Sequence, residues 1–184
     1  MSKLISSINI TPDGFCSHSD VIADDELHEF AIDLLKQVST VLFGRITYDL
    51  FESYWPLAAR DTSLPKPMYE FAQLISNVEK VIASKSMTNT KWQKTTILKE
   101  INTKTITELK YSNEVLIFGS PGLVSYLTKL ELIDEYYFSI QPILVGKGIR
   151  FFDNIYLDKK QNLKLKDKIV FKSGAVTLCY QRAK

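Results

Sequence analysis

Val41-Leu42-Phe43-Gly44-Arg45-Ile46-Thr47-Tyr48-Asp49 reads as a short buried strand that runs into Gly-Arg and then opens a helix. The first N–H groups of a helix have no internal partner, and the helix dipole places partial positive charge there. A phosphate fits that position. Gly44 lets the backbone approach closely, Arg45 offers a planar fork of donors, and Thr47 adds a hydroxyl. A turn glycine followed by a surface arginine gives the same local pattern. A second stretch favours the phosphate reading. Glu114-Val115-Leu116-Ile117-Phe118-Gly119-Ser120-Pro121-Gly122-Leu123 repeats the design, with Leu123, Val124, Tyr126, Leu127 and Leu130 at helical spacing. Two strand–glycine–helix junctions in one small α/β chain point to a ligand held at both, and a dinucleotide has the length and the phosphates for it.

Outward from these junctions the pattern is regular. Lys3 to Ile10 reads as a first strand, followed by the turn signal Pro12-Asp13-Gly14. Leu27, Phe30, Ala31, Leu34, Leu35 and Val38 fall on one helical face, which Asp24 or Asp25 caps. The helix opened by Gly44-Arg45 is expected to end at Tyr54-Trp55-Pro56, and another to run from about Met68 to Ser76. Strands are expected at Lys80–Ser84, Thr95–Leu98 and Tyr136–Ile140, with a short helix at Thr105–Leu109. Near the end, Leu163 and Leu165 alternate with Lys164, Lys166 and Lys168, Ser173-Gly174 turns the chain, and Val176, Leu178 and Tyr180 alternate back. The lysines read as the solvent face of an outer strand. Alternating strands and helices predict an α/β fold with a mostly parallel sheet, flanked by helices and closed by an antiparallel hairpin. No linker or repeat divides residues 1–184, so one domain is expected.

The chain has 184 residues, 45% hydrophobic and 24% charged, with a formal net charge of +2. That balance gives no general pull toward nucleic acid or membrane. The apolar runs are too short for a bilayer span, and Met1-Ser2-Lys3-Leu4-Ile5 enters a strand without a signal-peptide core, so a cytoplasmic protein is expected. Two cysteines give no disulfide framework, and Cys16 has no base supplied by its neighbours. His18 and His28 show no metal-ligand spacing with either cysteine. A G-x-G-x-x-G motif after the first strand and a Walker A pattern are both lacking, which disfavours a Rossmann fold proper and a P-loop fold.

The order of elements resembles the dihydrofolate reductase fold, and more closely its relatives that include the reductase domain of bacterial riboflavin biosynthesis (RibD C-terminal domain-like). Four pieces carry the resemblance: Ser7 to Phe15, Leu42 to Tyr48, Leu116 to Ser120, and Leu132-Ile133-Asp134-Glu135 followed by Pro142 and Val145 to Phe152. The resemblance implies NADPH. It places Gly44, Arg45 and Thr47 on cofactor phosphate, Ser84 and Lys85 at the adenosine end with its 2′-phosphate, and Gly119, Ser120, Gly122 and Leu123 at the pyrophosphate and nicotinamide side. Dihydrofolate reductases carry a Gly-Gly pair where this chain has Gly119-Ser120. Their acidic pterin-binding residue falls at the start of the first helix, where Glu26 aligns.

Hydride transfer from NADPH to a C=N or C=O bond of a pterin-like or pyrimidine-like molecule is then the expected chemistry. Asp13 and Glu26 are the candidate carboxylates, Asp13 also suiting its turn and Glu26 also suiting a solvated helix face. Glu26 is expected at the mouth of the cleft, toward the nicotinamide. Phe15 is a candidate to pack on the nicotinamide, and Tyr48, Tyr54 and Trp55 to line a flat substrate pocket, unless they are core. A non-catalytic cofactor-binding protein is the second reading. A third is an interaction protein whose dimer face runs from Leu132 to Phe152. A homodimer is expected, joined through Tyr136–Ile140 or the extended run after Pro142.

Overall fold

The structure, a computed structural model, describes residues 2–111, 113–153 and 155–183. In chain order the elements are β1 (Leu4–Ile10), α1 (Asp25–Lys36), β2 (Thr40–Gly44), α2 (Arg45–Ala58), α3 (Lys66–Asn77), β3 (Glu79–Ala83) and β4 (Thr95–Leu98). They continue with α4 (Thr103–Lys110), β5 (Val115–Phe118), α5 (Pro121–Lys129), β6 (Glu135–Ile140), β7 (Leu163–Val170) and β8 (Val176–Arg182). All eight strands join one sheet in the order β4-β3-β2-β5-β1-β6-β8-β7. The first six strands pair in parallel, and β8 and β7 close the sheet antiparallel.

The strands' period of two sorts their side chains between two cores. Ile5, Val41, Phe43, Leu116 and Phe118 point to the layer containing α1, α2 and α3. Leu4, Leu42, Val115 and Ile117 point to the opposite layer, with Ile106 of α4 and Val124 and Leu127 of α5. Helices on both faces explain why β5 is apolar at every position. Asp24 is the cap of α1, its side chain accepting the Leu27 N–H at 2.8 Å. The carbonyls ending α3 receive Lys80, whose Nζ donates to Ile75, Ser76 and Val78 and lies 4.6 Å from the Trp92 ring centroid.

Three expectations need correction. α2 continues through Pro56 to Ala58. The ring removes only a bond to the Glu52 carbonyl in the last turn, while Trp55 packs against Phe71 at 4.5 Å. α3 begins at Lys66, because Pro67 falls in the first turn, where its missing N–H is not needed. In β7 the alternation does not separate inside from outside: Leu163 and Leu165 are exposed, and Lys166 turns to the buried Glu135 at 2.7 Å. A register shift between Leu165 and Asp167 accompanies this. The strand offered as a dimer contact, β6, has β1 on one side and β8 on the other, so both edges are taken by its own chain. Among the described residues no helix is long and apolar enough to cross a membrane.

Glu52 ties α2 to the segment before β4. Its carboxylate accepts from the Tyr48 hydroxyl at 2.9 Å, Trp92 N–H at 3.0 Å and Lys91 N–H at 3.1 Å. Burial works against its charge, but these bonds and one from Thr90 outweigh it and hold the carboxyl below the ordinary value of 4.5. A lowered carboxyl stabilises the fold above the ordinary range, and that contribution is lost as pH falls through the lowered value. Glu52→Gln should cost about 1–3 kcal/mol at neutral pH. The cost should shrink in acid, as urea denaturation at the two pH values will measure.

Candidate functional site

Parallel strands bring the C-terminal ends of β2, β5, β1 and β6 to one edge of the sheet, the edge where open α/β sheets bind ligands. At that edge β2 and β5 nearly touch. The Gly44 N–H donates to Ser120 Oγ at 2.9 Å. A Cβ on Gly44 would lie 3.2 Å from Ser120 Oγ and 3.3 Å from its Cβ, a tight fit that Ser120 would have to yield to. Gly119 (φ +53°) and Ser120 (φ +53°, ψ +61°) are both left-handed. The turn thus keeps a conformation suited to two glycines although a serine stands at the second position. The hydroxyl's bond to Gly44 offsets the backbone cost.

The turn starts α5 beside the start of α2. Neither N-terminus has a side-chain cap. The first-turn donors of both helices are therefore left for a ligand, and Pro121 removes one orphan N–H. Arg45 pairs with Asp49 at 3.0 Å on the surface.

A cleft of about 560 Å³ opens here. One half is bounded by Gly44 to Thr47 and Gly119 to Leu123. The other is apolar, made by Leu27, Phe30 and Ala31 of α1, Leu50, Phe51 and Trp55 of α2, and Phe71 of α3. Asn9, Cys16, Ser17, His18, His28 and Ser139 complete the lining, His28 against Trp55 and Phe71. Asn9 is oriented by the fully buried Gln141, whose Nε2 donates to Asn9 Oδ1 at 2.9 Å. This leaves the Asn9 amide N–H groups for a ligand. The same Gln141 accepts the Ile22 N–H at 3.1 Å, fastening the β1–α1 loop. Burial pushes the Cys16 thiol up to about 11, so it stays neutral.

Seven of the nine residues expected at the cofactor line this cleft: Gly44, Arg45, Thr47, Gly119, Ser120, Gly122 and Leu123. Trp55 lines its apolar half. Ser84 and Lys85 follow β3, one strand beyond β2 at the same sheet edge, and stand outside the cleft. The Ser84 hydroxyl accepts the Met87 N–H at 3.1 Å, and Lys85 is exposed.

The remaining expected residues lie elsewhere. Tyr48 is fully buried beneath α2, bonded to Glu52 and Thr90, and is not a pocket wall. Phe15 is buried under the Arg150 guanidinium, 4.6 Å from its ring centroid. Asp13 accepts from Thr11 Oγ1 at 2.6 Å and from the N–H groups of Val145 at 3.1 Å and Gly146 at 2.8 Å, which hold its carboxyl below the ordinary range. It fastens two loops. Glu26 accepts the Lys172 N–H at 2.7 Å and pairs with Lys172 Nζ at 2.9 Å. It is tied to the turn between β7 and β8 and does not line the cleft. No Asp or Glu lines the cleft among the described residues. Sequence reading gave Asn9 no role and weighed His28 only as a metal ligand. His28 stands on the stripe that carries Leu27 and Ala31, and that position was its one signal.

Residues 2–178 match the family model of the RibD C-terminal domain. The Bacillus subtilis (strain 168) protein YyaP is 27% identical over 191 residues, covering 97% of this chain and 94% of that protein. Among solved structures, a putative riboflavin biosynthesis protein from Shewanella sp. PV-4 superposes with a TM-score of 0.72 at 19% identity, covering 99% of both chains. Dihydrofolate reductase from Enterococcus faecalis, complexed with NADP(H), superposes with a TM-score of 0.60 at 14% identity, covering 99% of this chain and 97% of that one. The fold is dihydrofolate reductase-like.

The junction makes a direct test of the turn possible. Ser120→Ala removes the partner of the Gly44 N–H and keeps the left-handed backbone, and should cost about 1–3 kcal/mol. Ser120→Gly loses the same bond but relieves about 1–2 kcal/mol of left-handed strain. The glycine variant should therefore be the more stable of the two in urea melts.

Proposed function

Because the chain belongs to the RibD C-terminal domain family, we propose that it is an NADPH-dependent reductase of a small heterocycle, pyrimidine-like rather than pterin-like. The observation that carries this reading is the pair of uncapped helix starts, α2 and α5, side by side at the head of a cleft whose other half is aromatic. The donors fit a pyrophosphate, and the apolar half fits a flat ring. Bound NADPH would supply the hydride. The chain's own part is to bind, orient and exclude water. The N–H groups opening both helices and the Arg45 guanidinium would hold phosphate, Arg45 exchanging a weak surface pair with Asp49 for a fully charged partner. Lys85, one strand further along the same edge, would meet the 2′-phosphate. Trp55, Phe51 and Leu27 would pack the substrate ring, and Asn9 would donate to a ring carbonyl. Among the described residues, a pterin edge of the kind that dihydrofolate reductases bind through an acid finds no carboxylate in the lining, which favours the pyrimidine class.

A non-catalytic cofactor-binding protein is the second reading, favoured by the engagement of Asp13 and Glu26 outside the cleft. The two readings separate on turnover: both require NADPH binding, and only the first gives NADPH oxidation with a pyrimidine or pterin panel. We also propose a homodimer that uses the extended run after Pro142, where Leu144 and Ile149 are exposed. Sedimentation giving a monomer at micromolar concentration would remove it.

NADPH should quench the fluorescence of Trp55, which lines the cleft. Arg45→Ala should weaken NADPH binding by about 1.5–3 kcal/mol, the worth of a charge-assisted bond. Lys85→Ala should weaken NADPH more than NADH, because only NADPH carries the extra phosphate. Absence of NADPH binding to the wild type at millimolar concentration would overturn the reading.

A further inference from the structure

We propose that His28 is the proton donor of this cleft, acting through Nε2. The inference rests on the reductase reading above. A reduction that delivers hydride to carbon needs a proton for the neighbouring heteroatom, and among the described residues no carboxylate in the lining can give one.

The ring of His28 is set for that task. Its Nδ1 lies 2.8 Å from the backbone carbonyl oxygen of Asp24. A carbonyl oxygen only accepts, so Nδ1 carries a hydrogen. The neutral ring is thereby fixed as the Nδ1–H tautomer, with its lone pair on Nε2. Nε2 has no protein hydrogen-bond partner among the described residues. Trp55 and Phe71 meet the ring edge-on, each at 6.3 Å between centroids, and both line the same cleft. Rotation would give up the Asp24 bond and both aromatic contacts. Asp24 is itself immobilised, since its side chain caps α1 through the Leu27 N–H.

Protonation adds a hydrogen at Nε2 and leaves the bond to Asp24 intact. Bound NADPH would supply the hydride, an electron pair with a hydrogen, to the carbon of a C=N bond, and the nitrogen would take the Nε2 proton. One C–H and one N–H bond would form, while the π bond, the C–H bond that held the hydride on NADPH and the Nε2–H bond would break, leaving NADPH oxidised to NADP. His28 is left as the neutral Nδ1–H tautomer and regains its proton from water.

The charged and titratable groups around it offer no better acid. On α1, Asp24 caps the helix, Asp25 and Glu29 are exposed, and Glu26 is bound to Lys172. From α3, Glu70 pairs with Lys36 at 2.8 Å. From α2, Arg45 pairs with Asp49. Of the loop residues in the cleft, Cys16 is held neutral and His18 is exposed.

Two measurements test the assignment. Nitrogen-15 spectra of the imidazoles in the unliganded protein should show neutral His28 as the Nδ1–H tautomer. An Nε2–H tautomer overturns the proposal without reference to turnover. The second compares His28→Asn, whose side-chain amide keeps the donor toward Asp24 and has no acid at Nε2. With dihydrofolate and a ribosylaminouracil as probes, it should bind NADPH as the wild type does and lower kcat by ~10²-fold or more. A wild type that reduces a probe while His28→Asn keeps its kcat overturns the donor role alone. A wild type that binds no NADPH removes the reductase reading, and the donor role with it.

Discussion

The close approach of Gly44 to Ser120 is the constraint on which the rest depends. β2 and β5 are parallel neighbours, so both end at the same edge. Helix α2 starts at the residue after β2, and α5 starts three residues after β5. With so little chain between strand and helix, the sheet itself sets where the helices begin. The two helices then leave to opposite layers, α2 toward Phe43 and Phe71 and α5 toward Leu42 and Ile117. Their starts straddle the sheet edge like two jaws. A side chain on Gly44 would press on the Ser120 side chain that joins them.

The cleft below this junction separates two kinds of work. Backbone donors and one arginine concentrate positive potential at one end. Aromatic and aliphatic side chains of three helices exclude water at the other. The carboxylates nearest the chain's entry to the cleft serve architecture instead. Asp13 fastens the β1 loop to the Val145-Gly146 loop, and Glu26 fastens α1 to the terminal hairpin. With both outside, no carboxylate lines the cleft among the described residues, which suits a polyanionic ligand.

What the sequence disclosed follows from how each property is encoded. Strands and helices have their own periods, so the order of elements, the parallel sheet and the closing hairpin were all legible. Glycines at strand ends encode close backbone approach, so the residues that touch the cleft through the main chain were legible too, from Gly44 to Thr47 and from Gly119 to Leu123. Side-chain direction was less so. Helix phase put Glu26 in the first turn of α1, but its partner Lys172 is 146 residues away and no local pattern announces it. Tyr48 looked like a pocket aromatic, yet it turns inward because Glu52 one turn later receives its hydroxyl. The alternation of β7 misled because an edge strand without a facing layer has no inside for the pattern to mark. Asn9, His28 and Gln141 are single polar residues whose meaning lies only in what they face.

Gln141 has one further consequence. Its amide is buried at the end of β6 and holds two things at once, the Asn9 carboxamide through Nε2 and the Ile22 backbone through Oε1. The segment carrying Cys16 and His18 over the cleft is therefore latched by the same group that aims the donor beneath it. One buried amide thus serves both the wall of the cleft and the group that faces into it, so a change at Gln141 would disturb the two together.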